Sequence, residues 1–283
     1  MRLMAPPTLV GLDRVDATHW QGMLSGGGEI VEFDLWRADE RDPEGRPFVL
    51  LVPILAGGRV LMEIVAEDMF DRGFDVAFCK RAGSAMREGQ RGPELQQLFA
   101  RTVLHQRLFL AWLRDATAFE PQPQFVLGIS LGGMIATAVA ALERELTGVA
   151  ICLSGADLQS LVPASAEARV QRWVEWRKDA DGVGIDHLRW ELHEYLTSDP
   201  LLLASAIATD KVFMVSARFD EVVPGKNQDL LWEALGRPAR MTVPLGHYTA
   251  ALAIGPILGA ATDHFRELLP HVPAALPAAA SPR

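Results

Sequence analysis

Short, uninterrupted apolar runs alternate along this chain with longer segments whose apolar residues recur every three to four positions. That rhythm restricts the fold more than any other feature, because it separates buried strands from amphipathic helices. Phe48–Val52 is apolar at every position and reads as a central strand, the pattern of a strand covered on both faces. Segment 60–71 then carries Val60, Leu61, Ile64, Val65 and Met69 on one helical stripe, with Gly73 beyond its end. Asp75–Cys79 is the next strand. A long helix follows over 94–114, burying Leu98, Phe99, Leu108 and Trp112. Residues 125–128 form a strand, 131–146 a helix and 148–153 a strand. Upstream, Glu29–Trp36 alternates apolar and polar residues and reads as an edge or antiparallel strand. The sum is a set of βαβ units, hence an α/β fold with a mostly parallel central sheet flanked by helices.

Between residues 155 and 210 the strand rhythm stops. Two helical stretches lie there, 165–178 and 185–197, the second with Ile185, Leu188, Leu192 and Tyr195 at helical spacing. Strands resume at 212–216 and 241–243, and 250–269 supplies a final helix. We therefore expect one α/β domain over residues 1–269, interrupted by a helical insert at about 156–210. The alanine- and proline-rich stretch 270–283 reads as disordered. No internal repeat is visible.

Composition excludes several classes of function. The formal net charge of the 283 residues is −9, which repels phosphate backbones, and no basic run is dense enough to override it. Nucleic acid is not an expected partner. Cys79 and Cys152 are too few for a disulfide framework; each ends an apolar run, where a cysteine acts as a small buried hydrophobe. A reduced, cytoplasmic setting is expected. The first eight residues lack the apolar core of a signal peptide, and no apolar stretch is long enough to span a bilayer. There is no H-E-x-x-H, clustered Cys/His spacing or strand-borne G-x-G-x-x-G, and Gly225-Lys226-Asn227 lacks the rest of a phosphate loop. Neither a metal nor a cofactor is expected.

Gly128-Ile129-Ser130-Leu131-Gly132 has the form G-x-S-x-G, directly after one strand and opening a helix. In a strand–turn–helix setting this places a serine on a strained elbow with its hydroxyl exposed, and the glycines admit the close approach of backbones. A serine hydroxyl is a weak nucleophile and needs an adjacent base. Of the seven histidines, His105, His187, His193 and His264 fall within helical patterns, His19 precedes the first strand and His271 lies in the tail. His247 alone sits in a loop just after a late strand, in Val243-Pro244-Leu245-Gly246-His247. A base of this kind needs a carboxylate to fix its tautomer and stabilise the imidazolium. Asp220, in the short loop after strand 212–216, is preferred; Asp157, soon after an earlier strand, competes, and Glu221 would point elsewhere.

Serine, acid and histidine in that order, each in a loop after a strand, resemble the α/β-hydrolase superfamily over most of residues 29–269. The resemblance implies a serine esterase-like enzyme acting on a small-molecule ester, thioester or small amide. It implies an oxyanion hole made by the backbone N–H of Leu131 and by a second amide from the loop after Phe48–Val52. That loop reads Pro53-Ile54-Leu55-Ala56-Gly57-Gly58 where the family often has His-Gly and an apolar residue; in the most direct register Leu55 supplies the amide. Lys80-Arg81-Ala82-Gly83 stands where the family often has Asp-x-Arg-Gly. The insert lies where many members carry a lid, and Trp173, Trp176 and Trp190 are expected to roof the pocket.

The same three groups also serve acyl transfer, carbon–carbon cleavage and lyase chemistry, and the fold without turnover can serve as a binding protein. The sequence leaves these, and the oligomeric state, open. If a histidine is the base, turnover of a p-nitrophenyl ester falls as the pH drops through roughly 6 to 7, where histidines become charged. A flat profile between about pH 5 and 8 would argue against a histidine base.

Overall fold

The computed structural model describes residues 6–38, 46–55, 59–116 and 122–269. Stretch 270–283, expected to be disordered, lies outside them. The strands are β1 (Thr8–Arg14), β2 (His19–Gly26), β3 (Glu29–Trp36), β4 (Phe48–Val52), β5 (Asp75–Cys79), β6 (Gln124–Ile129), β7 (Gly148–Cys152), β8 (Val212–Ala217) and β9 (Ala239–Val243). They form one sheet in the order β1-β2-β3-β5-β4-β6-β7-β8-β9. β1, β2 and β3 pair antiparallel, β3 meets β5 antiparallel, and every pairing from β5 to β9 is parallel.

The helices are α1 (Arg59–Asp71), α2 (Gly92–Asp115), α3 (Leu131–Leu142), α4 (Leu158–Ala164), α5 (Ala168–Asp181), α6 (Ile185–Tyr195), α7 (Pro200–Leu203), α8 (Gly225–Ala234) and α9 (Ile254–Glu267). They cover both faces of the sheet, which explains why every residue of β4, β5, β7 and β8 is buried. Strand side chains alternate between faces. Phe48, Leu50 and Val52 of β4 therefore join the core beneath α2 and α3, while Val49 and Leu51 join the one beneath α1 and α9. β8 divides likewise: Val212 and Met214 go to the first core, Phe213, Val215 and Ala217 to the second. Each such large side chain contributes roughly 1.5–3 kcal/mol on burial.

Several boundaries differ from expectation for local reasons. α3 stops at Leu142, because Glu143 turns away to bind Arg107 (2.6 Å) and Arg114 (2.6 Å). The last helix begins at Ile254, after a 3₁₀ turn over Thr249–Ala253. β3 is antiparallel as expected but not an edge, since the hairpin β1–β2 extends the sheet beyond it. His19 accordingly lies within β2, not ahead of the first strand. It stacks on Trp36 and sets Nε2 2.9 Å from the buried Asp34 Oδ1.

The insert between β7 and β8 comprises α4 to α7 and is fastened to the N-terminus of α2. Arg177 pairs with Glu191 through both guanidinium nitrogens (2.8 and 2.6 Å), and Glu191 also accepts the Gly92 N–H at 2.5 Å. Trp173 donates its indole N–H to the Gln90 carbonyl, and Gln96 bonds Ser198 from both ends of its amide. Burial pushes the Glu191 carboxyl upward, but the hydrogen bonds from Arg177 and Gly92 outweigh it and hold the group below its ordinary value. A depressed folded-state value means that this stabilisation is complete above the ordinary carboxylate range and is lost as the pH falls below that range through the depressed folded-state value. Glu191→Ala leaves Arg177 with Asp181 as its remaining carboxylate partner and the Gly92 N–H without its acceptor, and should cost about 1–3 kcal/mol in urea unfolding near neutral pH. The loss should shrink as the pH falls below the ordinary carboxylate range and the wild-type carboxyl itself takes up a proton. An unchanged unfolding midpoint would show that the clasp contributes nothing.

Candidate functional site

The parallel strands all end on one edge of the sheet, and the order reverses between β4 and β6, which puts a crevice between the loops that follow them. Ser130 stands at that crevice, between β6 and α3, with φ 58° and ψ −125°. A non-glycine residue in this region is strained by roughly 1–3 kcal/mol and persists only where its surroundings over-determine it. Here they do. The Ser130 N–H donates to the Cys152 carbonyl of β7 (2.8 Å), and its own carbonyl accepts from Gly133 (2.9 Å) and Met134 (3.3 Å). A Cβ on Gly128 would sit 2.1 Å from the Gly132 carbonyl oxygen, and one on Gly132 would sit 2.2 Å from that of Val52.

Asp220 and His247 follow β8 and β9. Their loops are laced together by the Arg218 N–H to the Val243 carbonyl (2.9 Å) and the Phe219 N–H to the Leu245 carbonyl (3.0 Å). Asp220 Oδ1 accepts the amides of Val222 (2.9 Å) and Val223 (2.8 Å), which leaves Oδ2 to meet His247 Nδ1 at 2.7 Å. His247 Nε2 lies 2.9 Å from Ser130 Oγ. Three side chains separated by up to 117 positions thus form one hydrogen-bonded chain. The Asp220 side chain is wholly buried. Asp157, the competing acid, has a left-handed backbone and bonds Ser160 instead, while Glu221 is exposed.

Two apolar cavities flank Ser130. The larger, about 210 Å³, runs between Ile54, Leu55, Leu61, Cys152, Ile254 and Ile257. The smaller, about 50 Å³, lies between Leu131, Met134 and the insert residues Leu158, Leu161, Val162 and Val170. Leu55 borders both and Leu131 the second; Ala56, Gly57 and Gly58 fall outside the described residues. Burial pushes the Cys152 thiol to about 12, so it serves as an inert wall. Among the described residues no group of three or more His, Cys, Asp or Glu side chains is placed to hold a metal ion, and no helix is long and apolar enough to cross a membrane.

No family model matches the chain. An uncharacterised protein of Bacillus subtilis (strain 168), YdjC, is 31% identical over 78 residues, which span 27% of this chain and 63% of that protein. Solved structures match far more of it. A cold-adapted esterase from an Arctic intertidal metagenomic library superposes with a TM-score of 0.62 at 17% identity, over 93% of this chain and all of the other. Acetyl xylan esterase 1 from Thermoanaerobacterium gives 0.63 at 16% identity, over 90% and 88%. A puromycin-hydrolysing peptidase of Mycobacterium tuberculosis gives 0.65 at 19% identity, over 93% of this chain and 39% of that one. The protein has the α/β-hydrolase fold.

On this hydrolase scaffold two features escaped the sequence. Arg81 donates to the carbonyls of Ile54 (3.3 Å) and Leu55. Among the described residues no peptide bond is cis, so holding the Ile54 carbonyl fixes the opposite direction of the Leu55 N–H. Glu167 caps α5 through Oε2 and the Val170 N–H (2.8 Å) and borders both cavities. The tryptophans, in contrast, do not roof the pocket. Trp173 is buried against Gln90 and Arg177, Trp176 lies under Arg91, and Trp190 is exposed beside His187 and Tyr195. Their helical spacing was legible, but which stripe faces the sheet is decided by the clasp to α2. Gly132→Ala forces its methyl into the Val52 backbone and should cost about 1–3 kcal/mol or more in thermal or urea unfolding. Wild-type stability in that variant would mean that the elbow is not as closely packed as described.

Proposed function

We propose that the protein is a serine hydrolase that cleaves a carboxylic ester, or a thioester or small amide, through an acyl-enzyme on Ser130. The observation that carries this reading is the continuous hydrogen-bonded chain from Ser130 Oγ through His247 to the buried Asp220, opening on apolar cavities. His247 Nε2 takes the Oγ proton as Oγ attacks the carbonyl, and returns it to the leaving alcohol. Asp220 keeps the other imidazole nitrogen protonated and stabilises the imidazolium. Water, activated by the same histidine, then releases the acid.

The developing oxyanion needs donors fixed in advance. The Leu131 amide is suited to this, because the first N–H groups of a helix have no intrahelical partner and α3 starts at that residue. The Leu55 amide, oriented by Arg81, is the second. The insert supports a role as a lid, since α4 and α5 wall the smaller cavity beside Ser130. Esterases among the structures of similar fold agree with an ester substrate.

A fluorophosphonate probe should label wild-type protein at Ser130 and fail on Ser130→Ala, whose turnover of a p-nitrophenyl ester should drop by several orders of magnitude. Asp220→Asn should lose about 10³- to 10⁴-fold in kcat through the wrong imidazole tautomer. Near-full turnover in Ser130→Ala would end the mechanism. Product analysis with a competing alcohol present separates hydrolysis from acyl transfer.

A further inference from the structure

Arginines among the described residues mostly pair with carboxylates, as Arg59 does with Asp34 and Glu63, Arg107 and Arg114 with Glu143, and Arg177 with Asp181 and Glu191. In a chain of net charge −9 such partners are plentiful. Arg14, Arg144 and Arg218 are among the exceptions, as are Arg87, Arg169 and Arg172, but the last three line one cleft of about 440 Å³, with Ser84, Met86, Glu88 and Trp173. Arg81 stands close by, and burial together with the neighbouring charge of Arg169 holds its guanidinium below the ordinary value. Glu88 is the carboxylate that lines this cleft; it is exposed, and no ion pair joins it to the arginines.

The cleft is built on hydrogen-bonded supports. Arg169 and Arg172 are one turn apart on α5 and share a face of it. Arg87 belongs to the loop between β5 and α2, whose shape is set by Gln90: its Oε1 accepts the Arg87 N–H (2.9 Å) and its Nε2 donates to the Ser84 carbonyl (3.0 Å). The Gln90 carbonyl in turn accepts the Trp173 indole N–H (2.9 Å), which ties this loop to α5. Like charges gathered without a counter-ion are unfavourable, and guanidinium groups match the geometry of carboxylate and phosphate oxygens. The cleft also adjoins the candidate site, because Met86 lines both it and the smaller cavity beside Ser130.

We propose that this cleft is a subsite for an oxyanion, a carboxylate or a phosphate, at the far end of the substrate handled at Ser130. The proposal rests on the hydrolase reading above and adds to it the chemical class of the substrate: an ester whose acyl or alcohol arm ends in an anion.

The test compares p-nitrophenyl octanoate with the mono-p-nitrophenyl ester of suberic acid, which has the same carbon count and a terminal carboxylate. In the full-length variant Arg87→Gln/Arg169→Gln/Arg172→Gln, kcat/KM for the hemiester should fall about 10-fold or more, with octanoate changed less than about 2-fold. The wild-type preference for the hemiester should weaken as sodium chloride is raised. Glutarate and inorganic phosphate, tested as competitive inhibitors at constant ionic strength, distinguish the two anions. Equal losses on both esters, or an unaffected hemiester, would overturn the subsite; Arg172→Gln alone gives the same comparison if the triple variant does not fold. Should neither ester be turned over by wild-type protein, the Ser130 reading fails by itself. The cleft is then judged by calorimetric titration with glutarate and phosphate: binding weakened about 10-fold in the variant supports it, and absence of binding overturns it.

Discussion

At Ser130 the chain must leave β6 and enter α3 within a single residue, and it does so only by holding φ at 58°. Such a turn is not self-supporting. It stands because β7 supplies an acceptor for the serine N–H, and because glycines let β6, α3 and the end of β4 approach to distances that a Cβ would forbid. The strain is therefore met by the sheet as a whole, whose central strands are buried on both faces. Loosening the core beneath α3 would relax the elbow and move the hydroxyl away from His247.

The other two members of the chain are held by a different device. Backbone hydrogen bonds from the Asp220 loop to the residues preceding His247 lock the two loops to each other before either side chain is considered. Asp220 then divides its oxygens: one is satisfied by two backbone amides, the other only by the imidazole. A wholly buried carboxylate with that division has little freedom to choose another partner, since breaking the imidazole bond would leave a charged oxygen unpaired. The geometry at the histidine is thus a consequence of the need to satisfy a buried charge.

How much of this was legible in the sequence follows from the same physics. Central strands were readable because both faces are covered, so every position is apolar; Asp75–Cys79 appears with its expected limits. β1 left no such trace, since all seven of its residues are exposed, and β2 is broken up by Gly22 and Gly26. α8 was also missed: polar Lys226, Asn227, Gln228 and Asp229 open it, and Asn227 and Gln228 are buried because they bond backbone carbonyls of neighbouring loops and of the end of β8 rather than because they are apolar. Ser130, Asp220 and His247 could be singled out because each falls just after a strand, and parallel strands deliver such positions to one edge. Arg81 had no comparable signal. Its contact with the loop after β4 exists only once β5 is laid beside β4, so nothing local marks it.

α5 shows how one helix can serve several neighbours without conflict. Val170, Trp173, Val174 and Arg177 recur at helical spacing and are buried. Within that single stripe, Val170 reaches the cavity beside Ser130 while Trp173 and Arg177 fasten the helix to the loop before α2 and to α6. The adjoining stripe, displaced by one position, holds Arg169, Arg172 and Trp176, and these point to the outer cleft and to Arg91. A rotation of α5 by one residue would exchange the stripes, burying guanidinium groups and exposing Trp173, so the Arg177–Glu191 clasp that fixes the rotation also fixes which charges border the cleft. Stability of the insert and the chemistry presented beside Ser130 are, for this reason, set by the same ion pair.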